Sequence, residues 1–197
     1  MSFSSEFEKK LDELYKEFLA FDATQSDRLS RYRNIEPESA KFIAMLIRIQ
    51  QSKKILEIGT STGYSTLWLA DAVQVTSGKI ITLEIDAERS KVAFQHAKNL
   101  NVERVVDFRV GDAKEFLSSS KELYDFILLD AERDAYVEYW NYLPQLMAEK
   151  GVLIVDNVVS HSDQIKDFVH LVNLDERFMT TILPIGAGLF MVTFKDH

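Results

Sequence analysis

Several apolar runs in this chain stop at an oxygen-bearing side chain of a kind that holds cations or sugar hydroxyls. FILLD reaches Asp130, LIVDN reaches Asp156 and Asn157, IITLE reaches Glu84, and FRVGDA passes through Gly111 and Asp112. The remaining run, LEIG, carries Glu57 just ahead of Gly59. Asp and Asn commonly end strands and cap helices, so one such residue means little. Five on one edge of one sheet would form a site. Asp130 and the pair Asp156-Asn157 close consecutive runs, so their side chains can converge. Two carboxylates and an amide, with no His or Cys among them, are hard oxygen donors suited to Mg²⁺ or a similar divalent ion that keeps positions open for water and substrate. A hydroxyl is a poor nucleophile until its proton leaves, and an oxygen held on such an ion loses its proton more readily.

These residues need a scaffold, and the hydrophobic period supplies one. From residue 53 onward, short apolar runs alternate with helical patterns: Lys54 to Ile58, Lys79 to Leu83, Val105 to Val110, Asp125 to Leu129 and Val152 to Val155. Helices are expected over Gly63 to Val73, Ala87 to Leu100, Ala113 to Leu117, Ala135 to Ala148 and Asp163 to Leu174. Phe178 to Leu183 and Gly188 to Phe194, joined by PIGAG, are expected to pair antiparallel. This alternation implies an α/β fold, a Rossmann-like doubly wound sheet of seven mostly parallel strands with an antiparallel last strand and helices on both faces. Ahead of it, residues 4 to 20 carry a helical stripe through Phe7, Leu11, Leu14, Tyr15 and Phe18, and a second helix starts near Pro37. The whole reads as a single domain over 1–197, residues 1–50 being an N-terminal helical segment and 51–197 the α/β core.

A doubly wound sheet binds its ligand outside the carboxyl ends of the strands. In EIGTSTGYS, Gly59 and Gly63 sit in the first strand-to-helix turn, but Ser61 replaces the middle glycine of a dinucleotide fingerprint, which argues against a pyrophosphate cradle. Glu84, about 20 residues further on, is placed to accept both hydroxyls of a ribose. The implied ligand is a nucleoside without a diphosphate.

Composition removes other classes. Acidic residues number 31 against 23 Lys and Arg, a net charge of −8, which disfavours nucleic acid and anionic membrane surfaces as partners. The chain has no cysteine, so disulfides and thiolate chemistry are excluded. MSFSSEFEKK has neither the basic start nor the apolar run of a signal peptide, and a cytoplasmic location is expected.

LEIGTSTGYSTLWLA, ITLEID, VGDA, LLDAERDAY and LIVDN, in that order, resemble a class I S-adenosylmethionine-dependent methyltransferase, and more narrowly an O-methyltransferase of the catechol and caffeoyl-CoA type. The likeness spans about residue 35 to the end. It implies that S-adenosylmethionine is the cofactor and a small, catechol-like aromatic molecule the acceptor. Glu57, Gly59, Thr60, Ser61, Gly63, Tyr64 and Ser65 would border its methionine portion, Glu84 and Ile85 the ribose side, and Gly111, Asp112 and Ala113 the adenine. Ile35 would meet the amino-acid end, and Asp130 would face both cofactor and metal. Asp130, Asp156 and Asn157 are the metal ligands that the resemblance implies.

One position departs from the family. The lysine expected three residues after the aspartate, where it can act as general base, is Arg133, which stays protonated and cannot take a proton. It could instead hold an anionic substrate, stabilise a phenolate, or pair with Glu132 or Asp134. His161, in the loop after the fifth strand, is the other candidate for proton transfer. Tyr136 matches the tyrosine the family has at that spacing. In the first 42 residues, Phe18, Phe21, Arg28, Arg31, Tyr32 and Arg33 could line an entrance, form a packing face, or make the homodimer contact common in related enzymes. The competing readings are a metal-independent methyltransferase, an NAD-dependent oxidoreductase and a non-catalytic cofactor-binding module.

Overall fold

The computed structural model describes residues 5–27 and 30–195. Helices α1 (Ser5–Thr24) and α2 (Pro37–Gln50) precede the sheet. Pro37 opens α2, where its missing N–H has no intrahelical partner to lose, and Gln51 closes it in the left-handed region. Then follow β1 (Lys54–Ile58), α3 (Tyr64–Thr76), β2 (Lys79–Glu84), α4 (Ala87–Asn99), β3 (Val106–Val110), α5 (Ala113–Ser119) and β4 (Tyr124–Leu129). The chain continues through α6 (Tyr136–Tyr139), α7 (Leu143–Leu146), β5 (Met147–Val155), α8 (Ser162–Asn173), β6 (Phe178–Leu183) and β7 (Leu189–Phe194).

The seven strands lie in the order β3-β2-β1-β4-β5-β7-β6. From β3 to β5 every pairing is parallel, and β7 runs antiparallel to both β5 and β6. Strand order reverses between β1 and β4, so the crevice expected to hold a ligand opens between their carboxyl ends. Alternate residues feed two cores. Ile55, Phe126, Leu128 and Ile154 pack under α1, α2 and α3. Leu56, Ile58, Ile127, Leu129, Leu153 and Val155 pack under α6, α7 and α8. Both faces are covered, which is why β1 and β4 read as continuous apolar runs.

The helix expected over Ala135 to Ala148 is not continuous. It breaks into α6 and α7, and the chain is already extended at Met147. Pro144 removes the N–H that would bond back along a continuing helix. Strand β5 is correspondingly longer than Val152 to Val155 and kinks, its register against β4 shifting between Tyr124 and Phe126. Gly151 sits at the kink, where a Cβ would lie 2.7 Å from the Ala148 carbonyl oxygen. Val105 belongs to a short 3₁₀ turn rather than to β3.

Candidate active site

The turn after β1 is pressed against the ends of its neighbours. Gly59 has φ +100°, and a Cβ there would fall 2.0 Å from the Asp130 carbonyl oxygen, so no larger residue fits without moving backbone. Asp130 N donates to Ile58 O at 2.9 Å, and the amides of Gly59 and Thr60 both donate to Leu83 O. The ends of β1, β2 and β4 are thereby locked together. Ser61, at φ 48°, donates its backbone N–H to Glu84 Oε2 at 2.7 Å, and Asp86 N donates to Oε1 at 3.0 Å. Glu84 is held at the strand end with lone pairs left over for a ligand.

Glu57 lies beneath this turn, fully buried. Its Oε2 accepts from the Thr66 and Thr82 hydroxyls at 2.5 and 2.6 Å, and the Thr60 hydroxyl continues the chain to Thr82 at 2.5 Å. Among the described residues Oε1 has no hydrogen-bond partner. Burial pushes the carboxyl up to about 7, against the opposing pull of the Ser65, Thr66 and Thr82 hydroxyls.

At the ends of β4 and β5 the two aspartates converge. Asn157, in the left-handed region at φ 65°, donates through Nδ2 to Asp156 Oδ2 at 2.8 Å and to Asp130 Oδ1 at 3.3 Å. Asp156 is 1% exposed, and among the described residues its Oδ1 has no partner. Burial, and then the Asp130 charge, raise Asp156 to about 8. Burial likewise lifts Asp130 to about 6, with Arg133 and Arg33 opposing. The pair is short of positive charge. Among the described residues there is no group of three or more His, Cys, Asp or Glu that could hold a metal ion; the convergent set here has two acids, and an amide is its third member.

A cleft of about 680 Å³ opens over these strand ends. Gly59, Thr60, Ser61 and Ser65 form part of its wall, Glu84 and Ile85 another part, and Gly111, Asp112 and Ala113 a third. Ile35, Asp130, Arg133, Asn157 and His161 also reach it. Glu57, Gly63, Tyr64 and Asp156 do not. Gly63 abuts Ala93, and Tyr64 turns into the core against Tyr15, with ring centroids 5.0 Å apart. The Tyr136 hydroxyl is buried and braces the turn after Asp130, accepting from Ala131 N and donating to Ala131 O, both at 3.0 Å.

Sequence reasoning left the remaining wall open between entrance, packing face and dimer contact. The C-terminal half of α1 and the loop after it contribute Tyr15, Asp22, Tyr32, Arg33 and Asn34. Asp22 fixes that loop by accepting from the backbone amides of Tyr32 and Arg33 at 2.7 and 3.0 Å. Phe18 is core and wall together, and Phe21 stacks on Tyr32 at 4.1 Å. Arg31 lines the cleft, while Arg28 lies outside the described residues. Arg89 and Tyr139 also reach the cleft, and nothing in their local sequence marks them.

The profile of a family described as O-methyltransferase matches residues 1–195. The chain belongs to the O-methyltransferase family. Its place is among the S-adenosylmethionine-dependent enzymes of catechol and caffeoyl-CoA type. It is similar to a caffeoyl-CoA O-methyltransferase of Medicago sativa, 30% identical over 77% of this chain and 71% of that one. It is 31% identical to a flavonoid 3′,5′-methyltransferase of Vitis vinifera over 79% of this chain and 76% of that one. A catechol O-methyltransferase of Niastella koreensis is 33% identical, over 64% of this chain and 58% of the relative. Among solved structures, an O-methyltransferase from Bacillus cereus in complex with S-adenosylhomocysteine superposes with a TM-score of 0.78 at 26% identity, covering 95% of this chain and 91% of that one. In this O-methyltransferase, as the sheet order requires, the cleft lies at the switch point between β1 and β4.

Proposed function

We propose that this chain moves the methyl group of S-adenosylmethionine to a hydroxyl of a small aromatic acceptor bearing two adjacent oxygens, with a divalent cation held by Asp130, Asp156 and Asn157. The observation that carries the reading is Asp156, a carboxyl buried beside a second acid with one oxygen unpartnered. Such an arrangement is costly unless a proton or a cation meets it. The donors, two acids and an amide, fit a hard divalent ion. When bound, that ion lowers the pKa of the acceptor hydroxyls and orients them.

The chain's own residues supply the rest. Glu84, pinned by the amides of Ser61 and Asp86, accepts the ribose hydroxyls. Ile85 and Ala113 offer apolar surface to the adenine, and the turn from Gly59 to Ser61 borders the methionine portion. The acceptor oxygen forms its bond to the methyl carbon as the carbon–sulfur bond breaks, leaving a neutral thioether. Positioning the two in line is the main contribution of the site. The hydroxyl proton must go to a group other than Arg133, and His161 on the cleft wall is the side chain proposed to take it.

The test is a calorimetric titration of Mg²⁺ into protein saturated with S-adenosylhomocysteine, beside the Asp130→Asn, Asp156→Ala double variant, with methyl transfer to catechol measured with and without EDTA. Binding and EDTA-sensitive transfer confined to the wild type are expected. Full transfer in EDTA would remove the cation from the reading.

A further inference from the structure

Arg133 opens the 3₁₀ turn Arg133–Ala135 directly after the acid at the end of β4, and it lines the cleft. Its guanidinium is not neutralised. Among the described residues no carboxylate lies within ion-pair distance of it, and its one hydrogen bond runs from Nη1 to the uncharged Gln164 Oε1 at 3.2 Å. Among the described residues the buried Nε has no partner, and Nη2 has no hydrogen bond either. Arg33, on the opposite wall, is used differently. Its Nη2 meets Glu132 Oε1 at 2.5 Å, while its own buried Nε is unpartnered. Both arginines act on Asp130, lowering its carboxyl against the upward push of burial.

Nη2 and the second N–H of Nη1 make the terminal fork of Arg133, a pair of donors that engages a carboxylate through two parallel hydrogen bonds, while the buried Nε faces away from ligand. A guanidinium with no carboxylate against it meets an anion without first giving up another, so a ligand carboxylate gains a charge-assisted pair. In a chain of net charge −8 with several acids around the cleft, an anionic ligand needs such a local cation to enter at all.

We propose that Arg133 is a specificity residue and that the acceptor is anionic: an aromatic diol carrying a carboxylate, bound by the Nη1–Nη2 end of the guanidinium. This rests on the methyl-transfer reading above for the placement of the diol at Asp130 and Asp156. A lysine at this position offers no such planar fork.

The full-length protein with S-adenosylmethionine and Mg²⁺ is assayed on 3,4-dihydroxybenzoate and on its uncharged carboxamide, for wild type, Arg133→Gln and Arg133→Lys. The wild type is expected to prefer the acid in kcat/KM by about tenfold or more, and Arg133→Gln to reduce that preference about 10- to 100-fold, mainly through KM, as loss of charge-assisted hydrogen bonds implies. Arg133→Lys retains part of it. No wild-type preference, or a fall in kcat equal for both acceptors in Arg133→Gln, overturns the proposal, the second result placing Arg133 at the reacting oxygen instead. The same two molecules are also titrated calorimetrically into protein loaded with S-adenosylhomocysteine. Acid-selective binding abolished in Arg133→Gln supports the proposal even where neither molecule is methylated, a result that counts against the methyl-transfer reading alone. Methylation of both without selective binding does the reverse.

Discussion

Replacing Asp156 with asparagine removes a carboxyl that the fold holds in its protonated form. The side chain is 1% exposed and faces Asp130, and these two causes raise it to about 8. In the unfolded chain an aspartate titrates near about 3.9. Between those values the folded protein binds a proton that the unfolded chain has released, so stability is greatest in acid and is lost as pH rises toward the folded value. One such proton changes the unfolding free energy by about 1.4 kcal/mol per pH unit. From about pH 5.5 to about pH 7.5, wild-type protein in EDTA is expected to lose about 2 to 3 kcal/mol more than Asp156→Asn does. Glu57 and Asp130, both raised, add slopes of the same sign in both proteins.

Urea unfolding at several pH values across this window measures the slopes. Adding Mg²⁺ should flatten the wild-type dependence, because a bound cation takes the place of the proton, and should leave Asp156→Asn unchanged. Parallel pH curves for the two proteins in EDTA would refute the argument, since Asp156 would then be ionised in the folded state and met by some other charge.

Glu84→Ala should weaken S-adenosylhomocysteine binding by about 1.5 to 3 kcal/mol, the range for hydrogen bonds to a charged group, and calorimetry showing wild-type affinity would end the ribose assignment. Tyr136→Phe leaves Ala131 N and O without their partner and should cost about 1 to 3 kcal/mol in urea unfolding, with a lower kcat as the turn after Asp130 loosens; unchanged stability would mean that water replaces the hydroxyl. Gly59→Ala drives a Cβ into the Asp130 carbonyl at a positive φ and should destabilise by about 3 kcal/mol or more, read as a fall in Tm; a normal Tm would show that the β1 and β4 turns separate freely.

Strand identity was legible because parallel strands buried on both faces are continuous apolar runs. Lys54–Ile58 has the boundaries that its sequence suggests, and β2 runs one residue further, to Glu84. The antiparallel β6–β7 pair followed from its short connection. The segment from Ala135 to Ala148 misled because its apolar residues keep helical spacing on both sides of Pro144, and periodicity carries no record of a missing N–H. The strand-end residues of the cleft could be picked out for a topological reason: a doubly wound sheet brings all its carboxyl ends to one edge whatever the side chains are. The N-terminal wall had no such rule. Helix α1 docks through Phe7 on Trp68 and through Tyr15 and Phe18 on Tyr64, contacts distant in sequence, and a residue such as Phe18 packs and lines with the same apolar face.

What the strand-end pattern also hid is how differently its acids are treated. Glu84 meets two backbone amides, whereas Glu57 and Asp156 each keep one buried oxygen without a donor, and Asp130 faces arginines engaged at most with neighbours. A protein selected only for stability would replace such acids or pair them. Under the proposed reading the deficit at Asp130 and Asp156 is what a divalent cation would meet, whereas Glu57 lies beneath the turn and off the cleft. Any proton that Asp156 holds must leave for such a cation to bind, so under this reading the affinity for the cation rises as pH approaches about 8.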